Sequence, residues 1–169
     1  MAQSPHATGE TIVRIRRLDR YLAAYNEHHE KSLNQAIHYV AIPMICWSIF
    51  AGLAALPFPA GWEFWPGLGW ATVGAIVASL YYFTFSKMVG LGAAVSLAIY
   101  LLIIAIVDHA FETPLWLVAL SVFALAWVLQ FIGHKIEGKK PKFFDDLRYL
   151  LIGPIWVLVA LYRLFGIRY

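Results

Sequence analysis

"PLWLVALSVFALAWVLQFIGHKIEGKK", residues 114–140, decides the fold. From Pro114 to Ile132 no side chain carries a charge. A bilayer core takes about 20 mainly apolar residues per helix, so this run is long enough to cross one. Gln130, His134 and Glu137 follow at its edge, spaced four and three apart, and lysines begin at Lys135. On a helix those three polar residues form one stripe. The pattern predicts a membrane span that ends in a polar face where lipid meets water.

Three more runs of this kind precede it, at about 39–56, 68–85 and 88–107. The composition agrees. Hydrophobic residues make up 61% of the 169 positions and charged residues 14%, against about half and about a quarter in a soluble domain. The net charge of +3 is small, and no basic face is present to meet nucleic acid. Cys46 lies inside an apolar run and reads as a small buried residue. No phosphate-binding glycine loop, HExxH or GxSxG occurs.

Basic residues orient the spans. Arg14, Arg16, Arg17, Arg20 and Lys31 precede the first. Lys87 sits between the second and third, and Lys135, Lys139, Lys140, Lys142 and Arg148 follow the fourth. The two intervening loops hold none. This alternation predicts four transmembrane helices with both termini inside. The last apolar stretch, "YLLIGPIWVLVALYRLFGIRY", is interrupted by Gly153-Pro154 and ends with Arg163 and Arg168. It reads as a broken hydrophobic hairpin, re-entrant or interfacial, over 149–166, with a fifth spanning helix as the alternative. Residues 11–25, "TIVRIRRLDRYLAAY", put Ile12, Ile15, Leu18, Leu22 and Tyr25 on one helical face opposite arginines. That is an amphipathic helix, lying on the membrane surface or on the protein itself. The expected fold class is all-α: a polytopic membrane bundle, 10–169, behind a disordered tail, 1–9.

This topology sorts the histidines. His28, His29, His38 and His134 fall at the inner boundary, His109 in an outer loop and His6 in the tail. His29 and His38 are nine apart and would face opposite ways on one helix. "SLNQ" offers a capping box, with Ser32 as N-cap and Gln35 three later, so a helix restarting at Ser32 lets the chain turn between them. Asn34 and His38 then share a face, toward Gln130, His134 and Glu137. Polar groups at this depth are costly unless paired or functional. Imidazoles with a carboxylate suit iron, zinc or manganese, and two histidines with a carboxylate form the non-haem ferrous pattern. A bis-histidine haem at His38 and His134 would leave Glu137 and Gln130 without a role. A non-catalytic lipid-binding or scaffold protein would use the same residues as a structural polar knot.

"YNEHHEKSLNQAIHYVAIP" (25–43), "QFIGHKIEGKKPKFFDDL" (130–147) and "GPIW" after it carry a resemblance. The chain resembles the 2-hydroxy fatty acid dioxygenase family, small membrane proteins related to the iron-dependent dioxygenase of fungal phytosphingosine breakdown. It looks like a bacterial-type branch of that family. The resemblance implies Fe(2+) held by His29, His38 and His134, with His28 a neighbour. It implies that Asn34 and Gln130 orient the ligands and that Glu137 is a fourth ligand or an acceptor beside one. The fungal members place their glutamate one residue further along. The implied reaction takes a 2-hydroxy fatty acid and molecular oxygen and shortens the acid by one carbon, with the tail between apolar helices. The implied setting is a bacterial inner membrane, with the metal site on the cytoplasmic side. Lys139, Lys140 and Lys142 are expected to contact lipid, and Asp145 and Asp146 to sit at a helix N-terminus.

Overall fold

The computed structural model describes residues 16–62, 67–138 and 147–169, the last in side-chain detail from Leu150 onward. Its elements are α1 (Arg17–Asn26), α2 (Ser32–Ala54), α3 (Trp70–Phe83), α4 (Lys87–Ala110), α5 (Leu115–Glu137) and α6 (Leu147–Leu164). No strand occurs among the described residues.

Helices α2, α4 and α5, of 23, 24 and 23 residues, are long and apolar enough to cross a membrane. They cover three of the four expected spans. The segment expected over 68–85 holds only 14 helical residues, about 21 Å of helix against a hydrocarbon core of about 30 Å. Its ends explain the shortening. Gly69 is extended and holds the N-cap position, so α3 starts only at Trp70. At the other end Ser86 accepts from the Val89 N–H at 3.0 Å and caps α4. Leu80, Leu102 and Val128 are each more than half exposed. An apolar belt of this kind suits lipid and is not sustained in water.

α5 packs along α2, and α3 pairs with α4. Two cores result. One joins Trp47, Ala51, Ile104, Leu115 and Ala119 at the end of the bundle remote from the N-terminus of α2. The other joins Leu18, Leu22, Ile42, Val89, Ile152, Ile155, Trp156 and Val159 at the opposite end. The apolar face of α1 is thus spent on the protein itself, against α6. Ile12 and Ile15 lie outside the described residues.

The expected broken C-terminal hairpin is instead one continuous helix. Pro154 sits inside α6, where it removes one backbone bond and presses on the preceding turn. Tyr82 Oη donates to the Leu151 carbonyl in that turn at 3.2 Å, which ties the turn to α3. Support from neighbouring helices is how proline is tolerated in apolar helices. Further along, Tyr162 Oη donates to the Met88 carbonyl at 2.6 Å. Tyr82 and Met88 flank the α3–α4 turn, yet their partners stand about 16 Å apart along α6. α6 therefore lies across one end of the bundle, and its two ends meet the same level of α3 and α4.

Candidate metal centre

α1 stops at Asn26, and the His29 N–H donates to the Asn26 carbonyl at 2.9 Å. The chain turns there and restarts as a helix at Ser32, as the sequence predicts. Gln35 Nε2 pins the turn by donating to the His29 carbonyl at 2.6 Å. His29 is thereby folded back over the first turns of α2. Across from it, α5 presents Gln130, Gly133, His134 and Glu137 on one buried face. A glycine is required in that face. A Cβ on Gly133 would come within 2.5 Å of Asn34 Oδ1 and 2.8 Å of His38 Cε1. Its absence lets α2 and α5 approach closely enough for their histidines to meet.

His29, His38 and His134 are all buried, and one ring nitrogen from each lies within 4.8 Å of the others. Two tautomers are fixed by the backbone. His29 Nδ1 lies 2.8 Å from the Tyr25 carbonyl and His38 Nδ1 lies 2.9 Å from the Asn34 carbonyl. A carbonyl only accepts, so both Nδ1 atoms carry the proton and both Nε2 atoms present a lone pair. His38 Nε2 faces His134 Nε2 at 3.3 Å. His29 Nε2 and His134 Nδ1 are buried with no hydrogen-bond partner.

No tautomer of His134 satisfies this arrangement. With its proton on Nε2, Nδ1 is left bare. With its proton on Nδ1, a buried N–H lacks an acceptor and two lone pairs confront each other. Unpaired buried polar atoms cost about 1–3 kcal/mol each. A divalent cation taking the three Nε2 lone pairs would remove that confrontation and give His29 Nε2 a partner, with the His134 proton on Nδ1. Nitrogens each about 2.1 Å from one ion, at tetrahedral or octahedral angles, stand roughly 3.0–3.4 Å apart, which the His38–His134 spacing matches. Burial also holds the His29 imidazole below the ordinary histidine range, over the weaker opposing pulls of the Tyr25 carbonyl and Glu137. Metal binding needs that neutral form. The three residues fit a metal ion.

The model of the family described as "2-hydroxy-palmitic acid dioxygenase Mpo1-like" matches residues 15–164. The chain belongs to the Mpo1-like family. A curated relative, the 2-hydroxy-palmitic acid dioxygenase MPO1 of Saccharomyces cerevisiae, is 26% identical over 152 residues, covering 89% of this chain and 80% of the yeast protein. No solved structure matches it.

In this Mpo1-like chain, Glu137 stands apart from the histidine trio. Its carboxylate accepts from the Glu30 N–H at 3.0 Å, the Lys31 N–H at 3.1 Å and Asn34 Nδ2 at 2.8 Å. These donors cluster at the N-terminus of α2, where unbonded amides and the helix dipole favour a negative charge. Ser32, expected as the N-cap, makes no side-chain cap; Lys31 holds that position. α2 is capped by a residue 106 positions away, because the carboxylate satisfies two amides at once and brings a charge that a serine lacks. Glu137→Gln should lower the melting temperature with and without metal, by an amount on the order of 1–3 kcal/mol. Thermal denaturation of both forms checks this.

An aromatic shell that sequence reasoning did not single out holds His29. Tyr25 stacks on its ring at 4.3 Å with an interplanar angle of 4°. Trp156 lies 5.2 Å away on the same ring, and its Nε1 donates to Asn26 Oδ1 at 2.6 Å. Both residues stand within the motifs that carry the family resemblance, Tyr25 opening the first and Trp156 closing "GPIW". Gln130, buried one turn before His134, lines a cavity of about 50 Å³ with His28, His29 and His134. His28 is only half-buried and is not part of the trio. His109 is exposed in the last turn of α4, at the other end of the bundle. Lys139, Lys140, Lys142, Asp145 and Asp146 lie outside the described residues.

Proposed function

We propose that this protein is a non-haem iron-dependent dioxygenase that shortens 2-hydroxy fatty acids by one carbon. The observation that carries the reading is the buried histidine trio, with two lone pairs fixed by backbone carbonyls and no tautomer that satisfies the third ring. The family and the yeast relative's name supply the substrate class. The overall change balances without an added reductant. RCH(OH)COOH and O2 give RCOOH, CO2 and H2O, a four-electron oxidation matched by reduction of one O2.

His29, His38 and His134 would hold the iron. When bound, the ion supplies the one-electron chemistry that lets oxygen react with a closed-shell hydroxy acid. The chain's own groups do the rest. Glu137 is consumed in capping α2, so ligation by three neutral imidazoles leaves room for substrate beside them. Asn34, whose carbonyl fixes the His38 tautomer, would orient that ligand. The Gln130 amide lines the small cavity beside His29 and His134 and can donate to the substrate carboxylate. Tyr25 and Trp156 shield His29 from water. A non-catalytic polar knot accounts for Glu137, but it leaves His29 Nε2 without a partner.

The setting proposed is a bacterial inner membrane with four helices in the bilayer, the short α3 among them, and α6 at the interface. Arg17, Arg20, Lys31, Lys87 and Lys135 all belong to the histidine end, which supports a cytoplasmic orientation for it. The test is metal content by mass spectrometry on protein purified without oxygen or chelator, followed by oxygen uptake with 2-hydroxypalmitic acid. About one iron per chain and uptake are expected. Zinc would redirect the reading to hydrolysis. No metal after iron supplementation would leave the scaffold role standing.

A further inference from the structure

A second cavity, of about 480 Å³, lies between α2, α4 and α6 with α3 at its side. It shares Ile42, Ile45, Cys46 and Leu150 with the small cavity that holds His29, Gln130 and His134. The two are neighbours across one wall of side chains. The large cavity is lined mainly by apolar side chains, with Tyr100 at its far end. Of its hydroxyls, Ser96 Oγ already donates to the Gly92 carbonyl at 2.8 Å, and Tyr82 Oη is taken by Leu151. An engineered apolar cavity of about 150 Å³ in another protein is enough to bind benzene.

The cavity runs along the bundle. Its lining on α2 extends from Ile42 to Phe50, and on α4 from Val89 to Tyr100, about 12 and 16 Å of helix. At the far end Phe50 and Tyr100 pack against the remote core of Trp47, Ala51, Ile104, Leu115 and Ala119. That core closes the passage. Ala93, buried between Val89 and Tyr100, keeps the middle of it wide.

We propose that this cavity is the acyl-chain channel of the enzyme, opening toward the histidines, and that Phe50 and Tyr100 limit the length of chain it accepts. The inference rests on the proposed function for the identity of the head group. The polar and apolar halves of a 2-hydroxy fatty acid then find matching surroundings in sequence: imidazoles and amides first, then a cavity lined by hydrocarbon side chains.

The test uses the full chain, iron-loaded, in nanodiscs. The probe is 2-hydroxypalmitic acid carrying a diazirine at its terminal carbon. Photolabelling should fall on Ile49, Phe50, Leu97 or Tyr100 and be competed by excess 2-hydroxypalmitic acid. Ala93→Phe should weaken binding of the probe by roughly tenfold or more, as a ring displaces several methylenes. It should leave iron content unchanged, and 2-hydroxyhexanoic acid should still bind. Tyr100→Ala should move the preference to longer chains, which covers the case in which the phenylalanine variant fails to fold. Labelling on outward-facing residues such as Leu102 and Ile106, or labelling that free acid does not compete, would overturn the channel. Competed labelling inside the cavity without oxygen uptake would keep the channel and reject the dioxygenase reading.

Discussion

His38→Ala should yield a folded protein that holds no iron and consumes no oxygen. His38 is at the centre of the trio, 4.5 Å from the His29 ring and 4.8 Å from the His134 ring. Loss of a residue that merely supports a ligand costs about 10–100-fold in metal affinity, and loss of a ligand itself exceeds that. The fold should survive. The bond given up, to the Asn34 carbonyl, lies within the same helix, four residues back, and that carbonyl retains its place in the backbone ladder. Without metal the variant should melt close to the apo wild type. The distinguishing quantity is therefore the rise in melting temperature on adding ferrous iron, present in the wild type and absent in the variant. His109→Ala, at the other end of the bundle, should retain it. An iron-loaded His38→Ala protein would remove the basis of the proposed site.

Gly133→Ala should be as damaging to the site, though it alters no ligand. The new methyl group would stand 2.5 Å from Asn34 Oδ1, 2.8 Å from His38 Cε1 and 3.0 Å from His38 Nδ1. Neither neighbour can retreat freely. Asn34 is tied to Glu137 and His38 to its own helix. Overpacking of this sort costs about 1–3 kcal/mol, and alanine returns only about 1 kcal/mol through its better helix propensity. The balance is unfavourable, and relief comes only by spreading α2 from α5, which parts His38 from His134. Expected results are a lowered melting temperature and loss of iron together. Gly52→Ala is the matched control, since a Cβ there meets nothing within 4 Å. It should raise stability by about 0.5–1 kcal/mol. Equal behaviour of the two variants would show that close approach at Gly133 is not what forms the centre.

Much of this was legible from residue order. Apolar runs located α2, α4 and α5, because span length is set by the bilayer and needs no tertiary information. Spacing placed Gln130, His134 and Glu137 on one face, and the restart at Ser32 brought His29 back toward His38. Tertiary contacts were not legible. "SLNQ" signals a local cap, and nothing near it shows that Glu137 supplies the cap from another helix. Gly153-Pro154 signals a break, but the Tyr82 hydroxyl that stabilises the turn before it comes from α3. The span expected over 68–85 began two residues ahead of α3 because Leu68 is apolar, whereas extended Gly69 holds the N-cap position. Tyr25 and Trp156 look like ordinary aromatic residues of apolar segments until α6 is laid across the bundle.

The reach of Glu137 across the chain also orders events during synthesis. His29 and His38 emerge from the ribosome long before His134, which is 96 positions after His38. Until α5 arrives, α2 lacks its cap and two histidines wait without the third. The same helix delivers both missing parts, His134 three residues from its end and Glu137 at the end itself. The three-histidine site proposed for iron therefore cannot be complete on a chain stalled before α5. Metal loading becomes a late report that the helices have assembled.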